Sequence, residues 1–262
     1  MATNHTHHTV LEEKAFSSLS QGNFEEAYKL YHDAATHHKK AGNHTQAALC
    51  FASAASCWSM RSGEKTFSNA ATAYEEAARE AQTSGDLEYA SLLYKYAAIN
   101  HERDREMLSF SECLYRSREC HRKFLTFRLF LPNKIHPIAK WEEEKGPIGF
   151  LKRHVSWCAL NVSYVFWGHG ERPLRAFCAG IGLIITFAFL YAHGQLVNKM
   201  GAVVQPDFAE SLYFSVVTFT TVGYGDLSPV GITKCYGVLE ALSGIFIMPL
   251  FMISLTRRYL RN

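Results

Sequence analysis

The chain has 262 residues, a formal net charge of +3 from 27 basic and 24 acidic residues, and a 48% hydrophobic composition. That length suits two domains, and the average hides a split: residues before about 145 are polar and charge-rich, whereas 174 to 255 hold almost all the long apolar runs. No nucleotide loop, HExxH or Ser/His/Asp spacing supports catalysis and nothing points to nucleic acid, so the expectation is neither an enzyme nor a cofactor protein.

Met1 to Lys14 is polar and His-rich with no apolar h-region, so the N-terminal half is expected to stay in the cytoplasm. His5, His7 and His8 lack an acidic or Cys neighbour, which favours a solvated tail over a metal site. The seven cysteines (Cys50, Cys57, Cys113, Cys120, Cys158, Cys178, Cys235) are odd in number, have no CxxC spacing and are expected to be reduced.

From 22 to 98 the chain repeats. Gly22-Asn23, Gly42-Asn43, Gly63-Glu64 and Gly85-Asp86 recur every 20 to 22 residues, as glycine does where one helix closes and a polar residue opens the next. Between them Tyr31, Phe51, Tyr74 and Tyr94 each precede an Ala-Ala pair by three residues, Ala34-Ala35, Ala54-Ala55, Ala77-Ala78 and Ala97-Ala98. Spacing i, i+3, i+4 places aromatic and alanines on one helix face, and large residues facing small ones let antiparallel helices stack as hairpins. The pattern resembles the tetratricopeptide class, and more closely the longer hairpins of the soluble NSF attachment proteins. The resemblance implies a cytoplasmic repeat domain over 1–130 with a ligand or protein partner that the sequence does not identify. Arg116, Arg118, Arg122, Lys123 and Arg128 load its last helix with positive charge, either as a solvated face or as a contact for anionic lipid or a neighbouring subunit.

Leu131-Pro132-Asn133-Lys134, Pro137 and Glu142-Glu143-Glu144-Lys145-Gly146-Pro147 break the helix, so 131–173 reads as a linker and interfacial segment. Ile148 to Trp167 interleaves aromatics with Lys152, Arg153 and His154, chemistry that suits the headgroup plane. Trp167-Gly168-His169-Gly170-Glu171-Arg172-Pro173 resembles the approach to the first membrane helix in prokaryotic two-helix channels.

The remainder, 174–262, reads as a membrane domain. Residues 174–193 and 235–256 are near the ~20 apolar residues a bilayer core demands. Lys152, Arg153, Arg172 and Arg175 before the first span and Arg257, Arg258 and Arg261 after the second place both ends in the cytoplasm. The sequons at Asn4, Asn43 and Asn161 are therefore expected to stay unmodified. A short helix over 207–219 lies between the spans and leads into Thr220-Thr221-Val222-Gly223-Tyr224-Gly225-Asp226. Dehydrating a cation takes closely spaced carbonyls, and Gly223 and Gly225 admit the φ > 0 conformations that aim them.

Residues 213–226 resemble the pore helix and selectivity filter of potassium channels. The resemblance implies an all-α tetramer with a re-entrant pore helix, a homotetramer in the cell membrane with K+ as its permeant ion. It assigns ion binding to the carbonyls of Thr221, Val222, Gly223 and Tyr224 and the Thr221 hydroxyl, with Thr220, Gly225 and Asp226 as support. Tyr213 stands where relatives often carry Trp, and its hydroxyl is expected to donate to Asp226, with plain packing as the other reading. Val217 stands where some relatives have a carboxylate, so that part of the bracing network is absent. Glu240, the one acid of the second span, is expected to face protein and accept hydrogen bonds. Gly244 and Pro249 are expected as a gating hinge, with close packing as the other reading of Gly244. Only seven residues follow Leu255, so regulation is expected from the N-terminal side. A membrane-anchored repeat adaptor and a weakly selective cation channel are the alternatives.

Overall fold

The structure, a computed structural model, describes residues 2–61, 66–130 and 147–259. The expected turn at Gly63-Glu64 and the breaks over 131–146 lie outside the described residues, as do the side chains of His5, His7, His8, Arg257 and Arg258 and the whole of Arg261. The chain forms two units, 1–161 and 162–261.

The first unit is built from helices α1 (Ala2–Ser20), α2 (Phe24–Lys40), α3 (His44–Ser59), α4 (Thr66–Thr83), α5 (Leu87–Arg103), α6 (Met107–Phe130) and the part of α7 (Pro147–Trp167) up to Asn161. From α1 to α6 each helix packs on the next in sequence. Gly22, Gly42 and Gly85 take left-handed φ of 79°, 77° and 88° and close α1, α2 and α4, a conformation that costs a side chain-bearing residue about 1 kcal/mol. Both members of all four alanine pairs are fully buried, against Tyr31, Phe51 and Tyr94. Small residues on one helix admit the rings of the next, which is why so alanine-rich a stretch still has a core.

Two stretches gain detail here. The N-terminal stretch is helical rather than a tail, because Leu11, Ala15 and Leu19 recur every four residues and pack Ala15 and Leu19 against Ala27 and Tyr31. The interfacial stretch is the helix α7, and one of its faces is packed on protein. Trp157 and Leu160 lie against Leu87, Phe124 and Leu125, the Trp157 indole donates to Thr126 Oγ1 at 2.9 Å, and Arg122 donates to Asn161 at 3.0 Å. The basic residues of α6 are partly spent on acids of the same helix, Arg116 on Glu112 and Arg122 and Lys123 on Glu119.

The second unit contains a 3-10 turn (Gly168–Gly170), α8 (Pro173–Ala192), α9 (Phe208–Phe219) and α10 (Thr233–Tyr259), together with three short strands. The helical expectation holds for most of the chain, and these strands add to it: β1 (Leu196–Asn198) is the centre of an antiparallel sheet between β2 (Val203–Val204) and β3 (Leu227–Pro229). A hairpin forms because Asn198 Oδ1 accepts the amides of Met200 and Ala202, and Gly201 takes φ +77°. Pro173 opens α8 at a position where its missing N–H has no helical partner to lose. α10 starts two residues before the expected 235, since the buried Thr233 hydroxyl accepts from the Val230 amide at 2.8 Å and lies 2.9 Å from the Gln195 carbonyl. α8 and α10 each contain a stretch long and apolar enough to cross a membrane, of 20 and 24 residues, and α8, α9 and α10 pack on one another.

Candidate functional site

α9 delivers the chain to the site. Asp207 caps its N-terminus by accepting from the Glu210 amide at 2.7 Å. Its C-terminus ends at Thr220, whose hydroxyl donates to the Val216 carbonyl at 2.7 Å. The next amides turn back onto the helix, Thr221 N–H to Thr218 O at 3.0 Å and Val222 N–H to Val217 O at 3.1 Å. The last carbonyls of α9 are thereby partly satisfied, and the chain leaves in a fixed direction.

From there the backbone alternates. Thr221, Gly223 and Gly225 have φ of +59°, +59° and +72°, while Val222 and Tyr224 between them stay outside the left-handed region. Residues of alternating hand aim successive carbonyls to one side and successive amides to the other. The two glycines were legible in the sequence; the left-handed Thr221 was not. A β-branched residue at positive φ is rare, and the amide bond back to Thr218 is what holds it. Val222 and Tyr224 are 54% and 68% exposed on the single chain, so the large side chains of this stretch are only partly covered within it.

Beyond the stretch, the Tyr213 hydroxyl donates to Asp226 Oδ2 at 2.8 Å. Asp226 Oδ1 accepts from the Leu227 amide at 3.1 Å, and β3 begins there, paired to β1. Both ends of the stretch are thus anchored, one to α9 and the other to Tyr213 and the sheet.

Glu240 is fully buried. It accepts from Tyr191 of α8 at 2.8 Å and from Ser215 of α9, and Ser215 Oγ also lies 2.8 Å from the Ile184 carbonyl. One carboxyl therefore ties the three long helices of this unit together, next to the Phe187, Tyr191 and Phe214 cluster. Sequence reasoning placed Glu240 against protein; its partners lie 49 and 25 residues away and carry no local signal.

Gly244 has a packing reason of its own. A Cβ added there would overlap the carbonyl oxygen of Phe219 and come within 2.9 Å of its carbonyl carbon. Pro249 lies inside α10, which is helical on both sides of it. A proline there leaves one carbonyl of the preceding turn without its helical donor.

Residues 179–261 match the family model described as ion channel. Over 89 residues the chain is 38% identical to the potassium voltage-gated channel subfamily KQT member 1 of Homo sapiens, covering 32% of this chain and 13% of that one. It is also similar to protein LctB, 43% identical over 83 residues of the Bacillus caldotenax protein and 47% over 47 residues of that from Geobacillus stearothermophilus, covering 61% and 34% of those chains. The matches support an ion channel. They point to a membrane protein and to a channel rather than an enzyme, and the family match falls in the second unit. The chain spans 13% to 15% of the KQT relatives' length. No solved structure matches it.

Proposed function

We propose that this chain is the subunit of a homotetrameric, potassium-selective channel of the cell membrane, with both ends cytoplasmic and the helical unit regulating conduction. K+ is its permeant ion, and no cofactor is needed. Thr221, Val222, Gly223 and Tyr224 coordinate the ion through backbone carbonyls, with the Thr221 hydroxyl below; Thr220, Gly225, Asp226, Tyr213 and Glu240 support them. The observation that carries this reading is the alternation of left-handed Thr221, Gly223 and Gly225 with Val222 and Tyr224. Carbonyls so aimed replace the hydration shell of a cation. One chain supplies one arc of such a ring, and the exposed Val222 and Tyr224 side chains fit burial against neighbouring copies.

Non-helical backbone at membrane depth is tolerable where it lines a water-filled path. The C-terminal end of α9 adds the negative end of its dipole toward a cation beneath the stretch. Residues 1–130 are proposed as the cytoplasmic repeat domain, with Gly244 and Pro249 letting the lower part of α10 move.

Reconstitution in planar bilayers under a potassium-to-sodium bi-ionic gradient tests the reading. A reversal potential near the potassium equilibrium value is the expected result. Reversal near zero would make it a weakly selective cation channel, and no current at all would leave the membrane-anchored adaptor.

A further inference from the structure

The repeat of the first unit has a longer period than its glycines suggest. α4–α6 restate α1–α3 at an offset of 63 residues, carrying Gly22 onto Gly85, Tyr31 onto Tyr94, Ala34-Ala35 onto Ala97-Ala98 and Cys57 onto Cys120. The backbone agrees. Gly42, at φ +77°, falls on Arg105, which holds φ +64° despite its side chain, and Asn43 N–H to His38 O at 2.9 Å falls on Glu106 N–H to His101 O at 2.9 Å.

Under the same offset Glu12, His38 and Cys50 fall on Glu75, His101 and Cys113. Within each set, one carboxylate oxygen, one imidazole nitrogen and the thiol sulfur lie within 4.8 Å of one another. The carboxylate meets His Nε2 at 2.7 Å in the first set and 2.8 Å in the second. Each set draws its donors from three consecutive helices, α1, α2 and α3 or α4, α5 and α6. The histidines and cysteines are buried, and the carboxylates are mostly so.

We propose that each set is a site for a divalent transition metal of the zinc class, two per chain, with the carboxylate, imidazole and thiolate as protein ligands and a fourth position for water. A plain core would be better served by apolar groups, since a buried carboxylate and imidazole carry a desolvation cost that apolar side chains do not. His101 Nδ1 is buried with no hydrogen-bond partner among the described residues. Other core positions have drifted between the two halves, Phe51 to Leu114 and Ala54 to Ser117, while all three donors are kept.

The chemistry closes. Binding displaces the thiol proton to solvent and moves the imidazole proton from Nε2, where it donates to the carboxylate, to Nδ1; the divalent ion then meets one carboxylate, one neutral imidazole and one thiolate, giving a neutral buried site. Tetrahedral zinc sets its oxygen, nitrogen and sulfur donors about 3.3–3.6 Å apart. The Glu–His hydrogen bond therefore opens by roughly half an ångström as the sulfur closes in. Mixed O, N and S donors favour zinc and cobalt over magnesium or calcium, which take oxygen alone.

The test uses the full chain purified in detergent, loaded with Zn2+ and desalted, with metal measured by mass spectrometry. Wild type is expected to keep two zinc ions per chain, Cys50→Ser and Cys113→Ser one each, and the double variant none. Co2+ loading should give a thiolate-to-cobalt absorption band that halves in each single variant and vanishes in the double. Wild type without retained zinc, or a double variant that retains as much as wild type with its band intact, overturns the proposal; the N-terminal histidines and the exposed cysteines are unchanged in that variant. Glu12→Gln/Glu75→Gln provides a second double variant, expected to lose the metal too, should the serine chains fail to fold by circular dichroism.

Discussion

Gly244 of α10 and Phe219 of α9 meet backbone to backbone, so closely that a single added methyl at 244 would overlap the Phe219 carbonyl. Phe219 immediately precedes Thr220 and Thr221, which makes this contact a floor beneath the proposed ion path. Gly244→Ala has to displace that carbonyl, an overpacking cost of about 1–3 kcal/mol. We expect assembled tetramers with reduced unit conductance as well as reduced opening, whereas Pro249→Ala should alter opening alone. Single-channel recording separates the two, and normal unit conductance in Gly244→Ala would show that the contact is not transmitted to the filter.

Gly223→Ala acts differently. A Cβ there meets nothing within 4 Å of its own chain, so the penalty is conformational, from φ +59°. We expect tetramers that assemble normally and conduct no potassium, by flux from loaded liposomes. Undiminished selective flux would remove Gly223 from the filter.

Tyr213→Phe deletes one hydroxyl and with it the 2.8 Å bond to Asp226. Its surroundings otherwise stay the same, so the outer end of the stretch should lose one of its two anchors while assembly is unaffected. Current during sustained opening should decay faster than in wild type, and an unchanged decay would mean that the pairing of β3 with β1 suffices.

Glu240→Leu strands the Tyr191 hydroxyl in a dry interior, at about 1–3 kcal/mol for a buried donor left unpaired, whereas Ser215 keeps the Ile184 carbonyl at 2.8 Å. Glu240→Gln keeps an acceptor oxygen and should fall between. Thermal loss of the proposed tetramer in detergent, followed by size-exclusion chromatography, should rank wild type above Gln and Gln above Leu. Equal stability of all three would reduce Glu240 to a space-filler.

His32 and Glu76 join α2 to α4, with nitrogen and oxygen 3.7 Å apart. The neighbouring Glu76 carboxylate raises the His32 pKa above its ordinary 6.5, and the imidazolium in turn lowers that of Glu76 below 4.5. A raised histidine contributes stability that is complete below 6.5 and fades as pH climbs through its folded value. A lowered carboxylate contributes above 4.5 and fades as pH falls through its folded value. The pair therefore stabilises most between those limits. The melting difference between wild type and His32→Gln should be larger at about pH 5.5 than at about pH 8, and a constant difference would show that the ring acts through packing alone.

Much was legible in the sequence because it is local. Glycine punctuation, an aromatic three residues ahead of two alanines, apolar runs of bilayer length and Tyr-Gly-Asp after a short helix all act within a few residues of themselves. The 63-residue duplication was legible too, but the denser 20-to-22-residue punctuation masked it, and with it the recurrence of glutamate, histidine and cysteine. Tertiary structure alone decided what lies far apart along the chain. Glu240 reaches Tyr191 and Ser215 across 49 and 25 residues, Gly244 meets Phe219 from another helix, and each Glu/His/Cys set needs three helices to converge. The sheet that follows the proposed filter likewise depends on β3 returning to β1 after the intervening helix. Side-chain spacing sets the face a helix presents, whereas the partner of that face is set by how closely whole elements can approach, and small residues such as Gly244 and the paired alanines control that distance.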